Sequence, residues 1–202
     1  MGTFYEKQKS LREQMAKLAI SEAAIDVLSA KSYDSLTMND IAEKAGVAIG
    51  TIYNYFKNKE DLFYYVYEQV HVAIEEKLDA IVNNQDDPAQ RIRVFLKEVF
   101  DVCDKYKIVL AMAKQIGIKD RIPVEQKKER VARHIRVTQR IIEDGIAQKK
   151  FREIDTWLTS EMFLFVLIGL IELQTFLGED YFARESKSVE KFFLNYLLLK
   201  EE

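Results

Sequence analysis

The chain has 202 residues, 48% hydrophobic and 31% charged, with a net charge of −3, a globular composition that excludes global disorder and a basic coat for nucleic acid or anionic lipid. One cysteine, Cys103, and two histidines, His71 and His134, exclude an intrachain disulfide framework and disfavour a Cys/His zinc site. Two prolines and seven glycines favour long helices over a turn-rich β-sandwich.

The opening MGTFYEKQKS lacks the apolar run of a secretory signal, and Glu6 breaks the myristoylation pattern. Apolar residues at Leu18, Ala24, Ile25 and Leu28 predict an amphipathic first helix that ends before Tyr33. A short helix follows over about Met38–Ala45, with Thr37 and Asp40 as its capping box and Gly46 as its stop. Another short helix is expected from about Ala48 to Phe56. A long one starts near Lys59, with Leu62, Val66, Val70, Ile74 and Leu78 at i+4 spacing.

The stretch Asn83 to Pro88 is the clearest loop, with Asp87 and Pro88 opening the next helix through Ile92, Phe95, Leu96, Val99, Phe100 and Cys103. A further helix spans about Lys105–Ile116 and stops near Gly117, and Pro123 opens another. Asp155 caps an apolar helix that ends at Gly178 and contains Met162–Ile171, a ten-residue run too short to span a bilayer. That run is apolar all round, so burial on every side is expected. The last helix carries a stripe of Val189, Phe192, Phe193, Tyr196 and Leu197. The expectation is an all-α fold of nine helices.

Two short helices joined at a glycine read as a helix-turn-helix. On a wheel of the second, Ala48, Ile49, Ile52 and Phe56 face inward, and Gly50, Thr51, Tyr53 and Asn54 face outward. Glycine inside a helix costs about 1 kcal/mol relative to alanine. Close approach of Gly50 to a phosphate or base edge is a reason to carry it. Tyr53 and Tyr55 put hydroxyls at the rim, and Lys57 and Lys59 flank the next helix start. Thr37 has a hydroxyl available for a phosphate. Each residue also has a plain reading, Thr37 as a cap and the tyrosines as packing.

The ordered set Thr37, Ile41, Ala42, Ala45-Gly46-Val47, Gly50-Thr51-Ile52-Tyr53, Tyr55-Phe56 and Asn58-Lys59-Glu60 with Leu62 resembles the DNA-binding signature of the TetR family of transcriptional regulators. The resemblance covers about residues 10 to 62, and beyond it only helical plan and length agree. It implies a helix-turn-helix DNA-binding domain at 1–58 and a ligand-binding and dimerisation domain at 59–202. It also implies a homodimer built on the last two helices, and release of DNA when ligand binds. Carried across by position, Ile49, Gly50, Thr51, Tyr53 and Tyr55 stand on the recognition helix, with Asn54 beside them. Thr37, Met38 and Lys59 stand at backbone-contact positions. Ala48 and Ile49 offer no donors, so reading there is limited to thymine methyls.

Residues 1–60 hold eight basic and eight acidic side chains, so DNA affinity rests on the layout of charge and on helix-end amides. Lys7, Lys9 and Arg12 read as a minor-groove arm or as a solvated terminus. For the larger domain, Phe95, Phe100, Tyr106, Met112, Trp157 and Phe163 are candidate walls of a ligand cavity, with Tyr67, His71 and His134 beside them. Each also reads as core. Phe165, Ile168, Glu172, Phe192, Phe193 and Leu197 are the candidate dimer face.

No nucleophile elbow, phosphate loop or HExxH motif is present in the sequence, so no enzyme, catalytic residue, metal or cofactor is expected. The reading is a cytoplasmic, homodimeric repressor released from a palindromic operator by a small, largely apolar effector, with no membrane partner. The alternatives are an effector-independent architectural DNA-binding protein and a helical small-molecule carrier with a vestigial head.

Overall fold

The computed structural model describes residues 4–82, 87–177 and 181–199. Among them the chain forms ten helices: α1 (Phe4–Ala30), α2 (Met38–Ala45), α3 (Ile49–Tyr53), α4 (Lys59–Val82), α5 (Pro88–Lys105), α6 (Lys107–Gln115), α7 (Ile118–Arg121), α8 (Val124–Ala147), α9 (Thr156–Leu177) and α10 (Tyr181–Leu197). The described residues contain no strand, only an isolated bridge between Phe151 and Leu198.

Several ends form where side-chain chemistry puts them. The Asp87 carboxylate accepts the N–H groups of Ala89 (2.9 Å) and Gln90 (3.3 Å), and Pro88 opens α5. Asp155 accepts the Leu158 N–H at 2.9 Å at the start of α9. Gly117 takes φ 65° after α6, a left-handed stop. The expected stop at Gly178 and the loop residues 83–86 lie outside the described residues.

Two elements differ from expectation. The count is ten because the four-residue α7 follows Gly117. Helix α1 begins at Phe4, well before Leu18, and residues 4–15 are all exposed. Its first half is rich in Glu, Lys, Gln, Leu, Arg and Met, good helix formers that extend a helix without an apolar face to announce it.

The chain divides into two compact units. The first holds Met1–Gln69 and Ile108–Lys119, and the second holds Val70–Lys107 and Asp120–Glu202. The expected boundary at 58/59 therefore falls inside the first unit. The reason is packing: Leu62, Phe63 and Val66 of α4 are fully buried in the same unit as the buried Ile20, Ala24, Leu36, Ile41 and Ile52. Phe63 meets Tyr33 edge-on, with ring centroids 5.3 Å apart.

In the second unit α8 packs on α5 and α9, and α10 packs on α5 and α9. Phe163 joins the layers, with ring centroids 5.5 Å from Phe95 and 3.9 Å from Phe193. The buried Arg91 reaches Asp144 at 2.6 Å, tying α5 to α8. Cys103 is buried, and burial pushes its thiol up to about 12.

Helix α9 is apolar on all sides, and among the described residues the single chain covers it on one, so burial all round would need a further surface. Phe163, Leu164 and Leu167 are buried, whereas Met162, Phe165, Ile168 and Leu173 are exposed. The span Thr156–Gln174 is, by length and composition, apolar enough to cross a membrane, longer than the ten-residue run suggested. It also carries Glu161, with Thr159 and Ser160 buried beside it. On α10, Phe193, Leu194 and Leu197 are buried while Phe192 and Tyr196 are exposed.

The chain doubles back after α8. Lys149 takes φ 55°, and the N–H groups of Lys150 (2.9 Å) and Phe151 (3.1 Å) both donate to the Gly145 carbonyl. The Arg152 N–H then donates to the Leu197 carbonyl at 3.0 Å. This return lays the Phe151 ring on α8, where a Cβ at Gly145 would stand 2.1 Å from it. Gly145→Ala is expected to destabilise the protein by about 1–3 kcal/mol, since an aromatic ring in a packed core cannot yield that distance. Urea denaturation measures it, and unchanged stability would mean the ring is not fixed there.

Candidate nucleic-acid interface

The first unit presents α2 and α3 as a helix-turn-helix. Thr37 is extended (φ −121°, ψ 162°) ahead of α2. Its hydroxyl accepts the Asp40 N–H at 3.2 Å and donates to the Asp40 carboxylate at 2.9 Å, while the Thr37 N–H donates to that carboxylate at 2.7 Å. The expectation of a hydroxyl available to phosphate is corrected, because both of its roles are taken within the capping box. The Lys31 ammonium at 2.7 Å, with the two Thr37 donors, holds the Asp40 carboxyl down at about 2. Met38 is buried, so it offers DNA only its main-chain amide at the N-terminus of α2.

Gly46 closes α2 in the left-handed region (φ 66°), and the Val47 N–H returns to the Ala42 carbonyl at 3.0 Å. Ala48 is extended and exposed outside the helix, so the wheel that turned it inward does not apply. Helix α3 is also shorter than expected. The N–H groups of Tyr55 (2.9 Å) and Phe56 (3.0 Å) both donate to the Ile52 carbonyl, tightening the chain so that Phe56 enters the core. Ile52 and Phe56 are the two buried anchors of this segment.

Outward stand Gly50, Tyr53 and Asn54, with Ile49, Thr51 and Tyr55 half-exposed. A Cβ at Gly50 would meet nothing within 4 Å. Packing inside the chain therefore does not ask for glycine there, and its helix cost of about 1 kcal/mol lacks an internal justification. The bare backbone, the hydroxyls of Thr51, Tyr53 and Tyr55, and the Asn54 amide offer donors and acceptors to a helix-wide groove.

Lys59 lies differently from the other expected contacts. Its ammonium donates to the Tyr33 carbonyl at 2.7 Å and to the Leu36 carbonyl at 3.1 Å, and stands 4.4 Å from the centroid of the Tyr33 ring. Lys17 of α1 similarly stands over the Phe56 (5.9 Å) and Tyr65 (5.6 Å) rings. Gln115 of α6 reaches the Asp34 carboxylate at 3.5 Å. Contacts between residues this far apart in sequence leave no local pattern, so sequence reasoning missed them.

The candidate ligand residues do not form one set. Tyr67 and Met112 are buried and belong to the first unit, whereas Phe95, Phe100 and Phe163 are buried in the second. His71 and His134 are half-buried there. Burial, with Arg133 and Arg130 adding to it, pushes His134 down to about 4, so its imidazole is neutral at pH 7. Trp157 is exposed on the first turn of α9, which corrects its assignment to an interior wall. Of the candidate dimer face, Phe165, Ile168 and Phe192 point outward and Glu172 is half-exposed, but Phe193 and Leu197 turn into their own chain. The described residues hold no cluster of three or more His, Cys, Asp or Glu suited to a metal.

Tyr53→Ala and Thr51→Ala are expected to leave the fold intact, because neither side chain is buried. Each should weaken binding to a duplex selected by the wild-type protein by roughly tenfold or more, the usual worth of a base-edge contact. Mobility-shift titration alongside thermal denaturation checks this, and unchanged affinity in both variants would remove α3 from the interface.

Residues 20–66 match the family model of bacterial regulatory proteins, tetR family. The fatty acid metabolism regulator protein of Bacillus subtilis (strain 168) is 24% identical over 148 residues, covering 72% of this chain and 76% of that protein. The uncharacterized HTH-type transcriptional regulator YhgD of the same organism is 28% identical over 159 residues, covering 77% and 82%. Among solved structures, the transcriptional regulator FadR from Bacillus subtilis in complex with stearoyl-CoA is similar with a TM-score of 0.63 at 23% identity, covering 89% of this chain and 98% of that one. A capped helix-turn-helix with an outward-facing α3, a larger helical portion and these likenesses agree: residues 20–66 carry the DNA-binding region of the TetR family of bacterial regulatory proteins.

Proposed function

We propose that this regulator is a cytoplasmic homodimeric repressor that leaves a palindromic operator when a ligand with a long acyl chain binds its second unit. The observation that carries the DNA side is Gly50, where an added Cβ would meet nothing within 4 Å on the outward face of α3. The ligand side is supported by the likeness to a fatty acid metabolism regulator protein over 148 residues, which extends well past the 20–66 segment. A protein of similar fold binds stearoyl-CoA. The second unit's buried Phe95, Phe100 and Phe163, with a neutral His134, suit the aliphatic part of such a ligand.

Dimerisation is supported by the uncovered apolar faces of α9 and α10. Phe165 is 65% exposed and Phe192 is 62% exposed. A second copy placing the same two helices against these would form a four-helix interface. The two recognition helices of such a dimer enter successive major grooves about 34–36 Å apart, and a ligand that alters this spacing loses the gain of binding with both at once.

Calorimetry with stearoyl-CoA, stearate and coenzyme A, each with and without saturating selected duplex, tests the reading. Stearoyl-CoA should bind, and the duplex should weaken it by the factor by which it weakens the duplex. Equal ligand affinity in the two titrations would refute control of DNA by ligand. If ligand binds but no duplex is selected, the small-molecule carrier reading takes over. Phe165→Glu should give a folded monomer by analytical ultracentrifugation, since that side chain is uncovered in its own chain. A persisting dimer would place the interface elsewhere.

A further inference from the structure

The turn between α1 and α2 is held at several points within the first unit. The Lys31 ammonium reaches Asp40 at 2.7 Å across the turn. The Ser35 and Leu36 N–H groups both donate to the Ser32 carbonyl, each at 3.1 Å. Gln115 reaches Asp34 from α6. The strongest hold comes from α4. Its first residue, Lys59, donates to the carbonyls of Tyr33 and Leu36, and its Phe63, one turn on, packs edge-on against the Tyr33 ring. The Tyr33 ring thus lies against both the Lys59 ammonium, at 4.4 Å, and Phe63. Tyr33 and Leu36 are themselves buried, and both hydrogen bonds from Lys59 are part-buried. A charged donor to such carbonyls is stronger than a neutral one.

We propose that Lys59 is a positioning residue for DNA binding, not a phosphate ligand: it latches the first turn of α4 to the α1–α2 turn and thereby sets where the N-terminus of α2 stands. Leu36, which the latch holds, directly precedes Thr37, and Thr37 carries the capping box that starts α2. Two of the three ammonium hydrogens are committed to carbonyls. An excursion to a phosphate would uncap the turn that places the main-chain amides of α2. A shift or rotation of the start of α4 breaks both bonds, so the latch makes the placement of α2 depend on the position of α4. The proposal rests on the DNA-binding reading and goes beyond it in separating positioning from contact.

Three variants distinguish the two roles: Lys59→Met, which keeps length without donors; Lys59→Arg, which keeps charge and two donors; and Lys57→Met as an exposed neighbouring cation. The probe is a duplex selected by the wild-type protein from a random library, titrated at several salt concentrations. A latch predicts that Lys59→Met loses tenfold or more in affinity with an unchanged log–log salt slope. It also predicts faster amide exchange over residues 33–40 in the absence of DNA, and rescue by Lys59→Arg to within about threefold. A phosphate ligand predicts a slope lowered by about 0.9, with exchange unchanged, and that result overturns the proposal. Unchanged affinity in Lys59→Met overturns it as well. If Lys59→Met does not fold, the wild type answers by NMR. Hydrogen-bond couplings from the Lys59 ammonium to the Tyr33 and Leu36 carbonyls that persist on DNA support the latch, and their replacement by a coupling to phosphorus refutes it. Failure of the wild type to select any duplex defeats the DNA-binding reading, and the exchange measurement still reports separately on the latch.

Discussion

A helix of five residues cannot hold its own direction. Helix α3 has too few internal hydrogen bonds to offset the cost of fixing its backbone. Its orientation is imposed by the burial of Ile52 within it and Phe56 just beyond it. The rest of the first unit serves that pair. The left-handed Gly46 turns the chain from α2 into α3, and the Phe56 ring lies 5.4 Å from Tyr65 of α4. The early turns of α4 therefore belong to the same compact unit as the recognition helix. The same constraint explains the polar work at the other end of the motif, where capping box, ion pair and Lys59 all act on the few residues before α2.

The second unit obeys a different constraint. Among the described residues, it leaves large apolar side chains of α9 and α10 exposed. Along α9 the buried residues Phe163, Leu164 and Leu167 alternate with exposed Met162, Phe165 and Ile168, so one helix serves two apolar environments. Helix α10 divides the same way, with Phe193 inward and Phe192 outward at an interplanar angle of 78°. A patch of this kind supports the association surface proposed above. On that proposal the all-round apolarity of α9 serves two partners, its own core and a second copy of the chain.

Local signals were legible in the sequence. The capping box at Thr37 and Asp40, the stops at Gly46 and Gly117, and the caps at Asp87 and Asp155 all formed as expected, because each depends on residues within a few positions of one another. The i+4 series from Leu62 to Leu78 is buried throughout. What periodicity did not convey was the length of α1, which follows from helix propensity alone, and the inward turn of Phe193 and Leu197, which depends on which of two apolar faces meets the core. For the candidate interface, the outward set Gly50, Tyr53 and Asn54 was readable from a wheel. The engagement of Lys59 was not, because a side chain's unused hydrogen-bonding capacity is a property of its surroundings.

The lone thiol has a practical corollary. Cys103 is buried in the second unit, and its sulfur stays protonated across the neutral range because of that burial. A protonated, inaccessible thiol is a poor nucleophile. Slow reaction of Cys103 with maleimide reagents is therefore expected. A single cysteine introduced at an exposed position such as Glu43 on α2 would take a spin label or fluorophore cleanly. In the proposed dimer, two such labels, one per copy, would act as a molecular ruler between the heads, readable in solution with the native sulfur left in place.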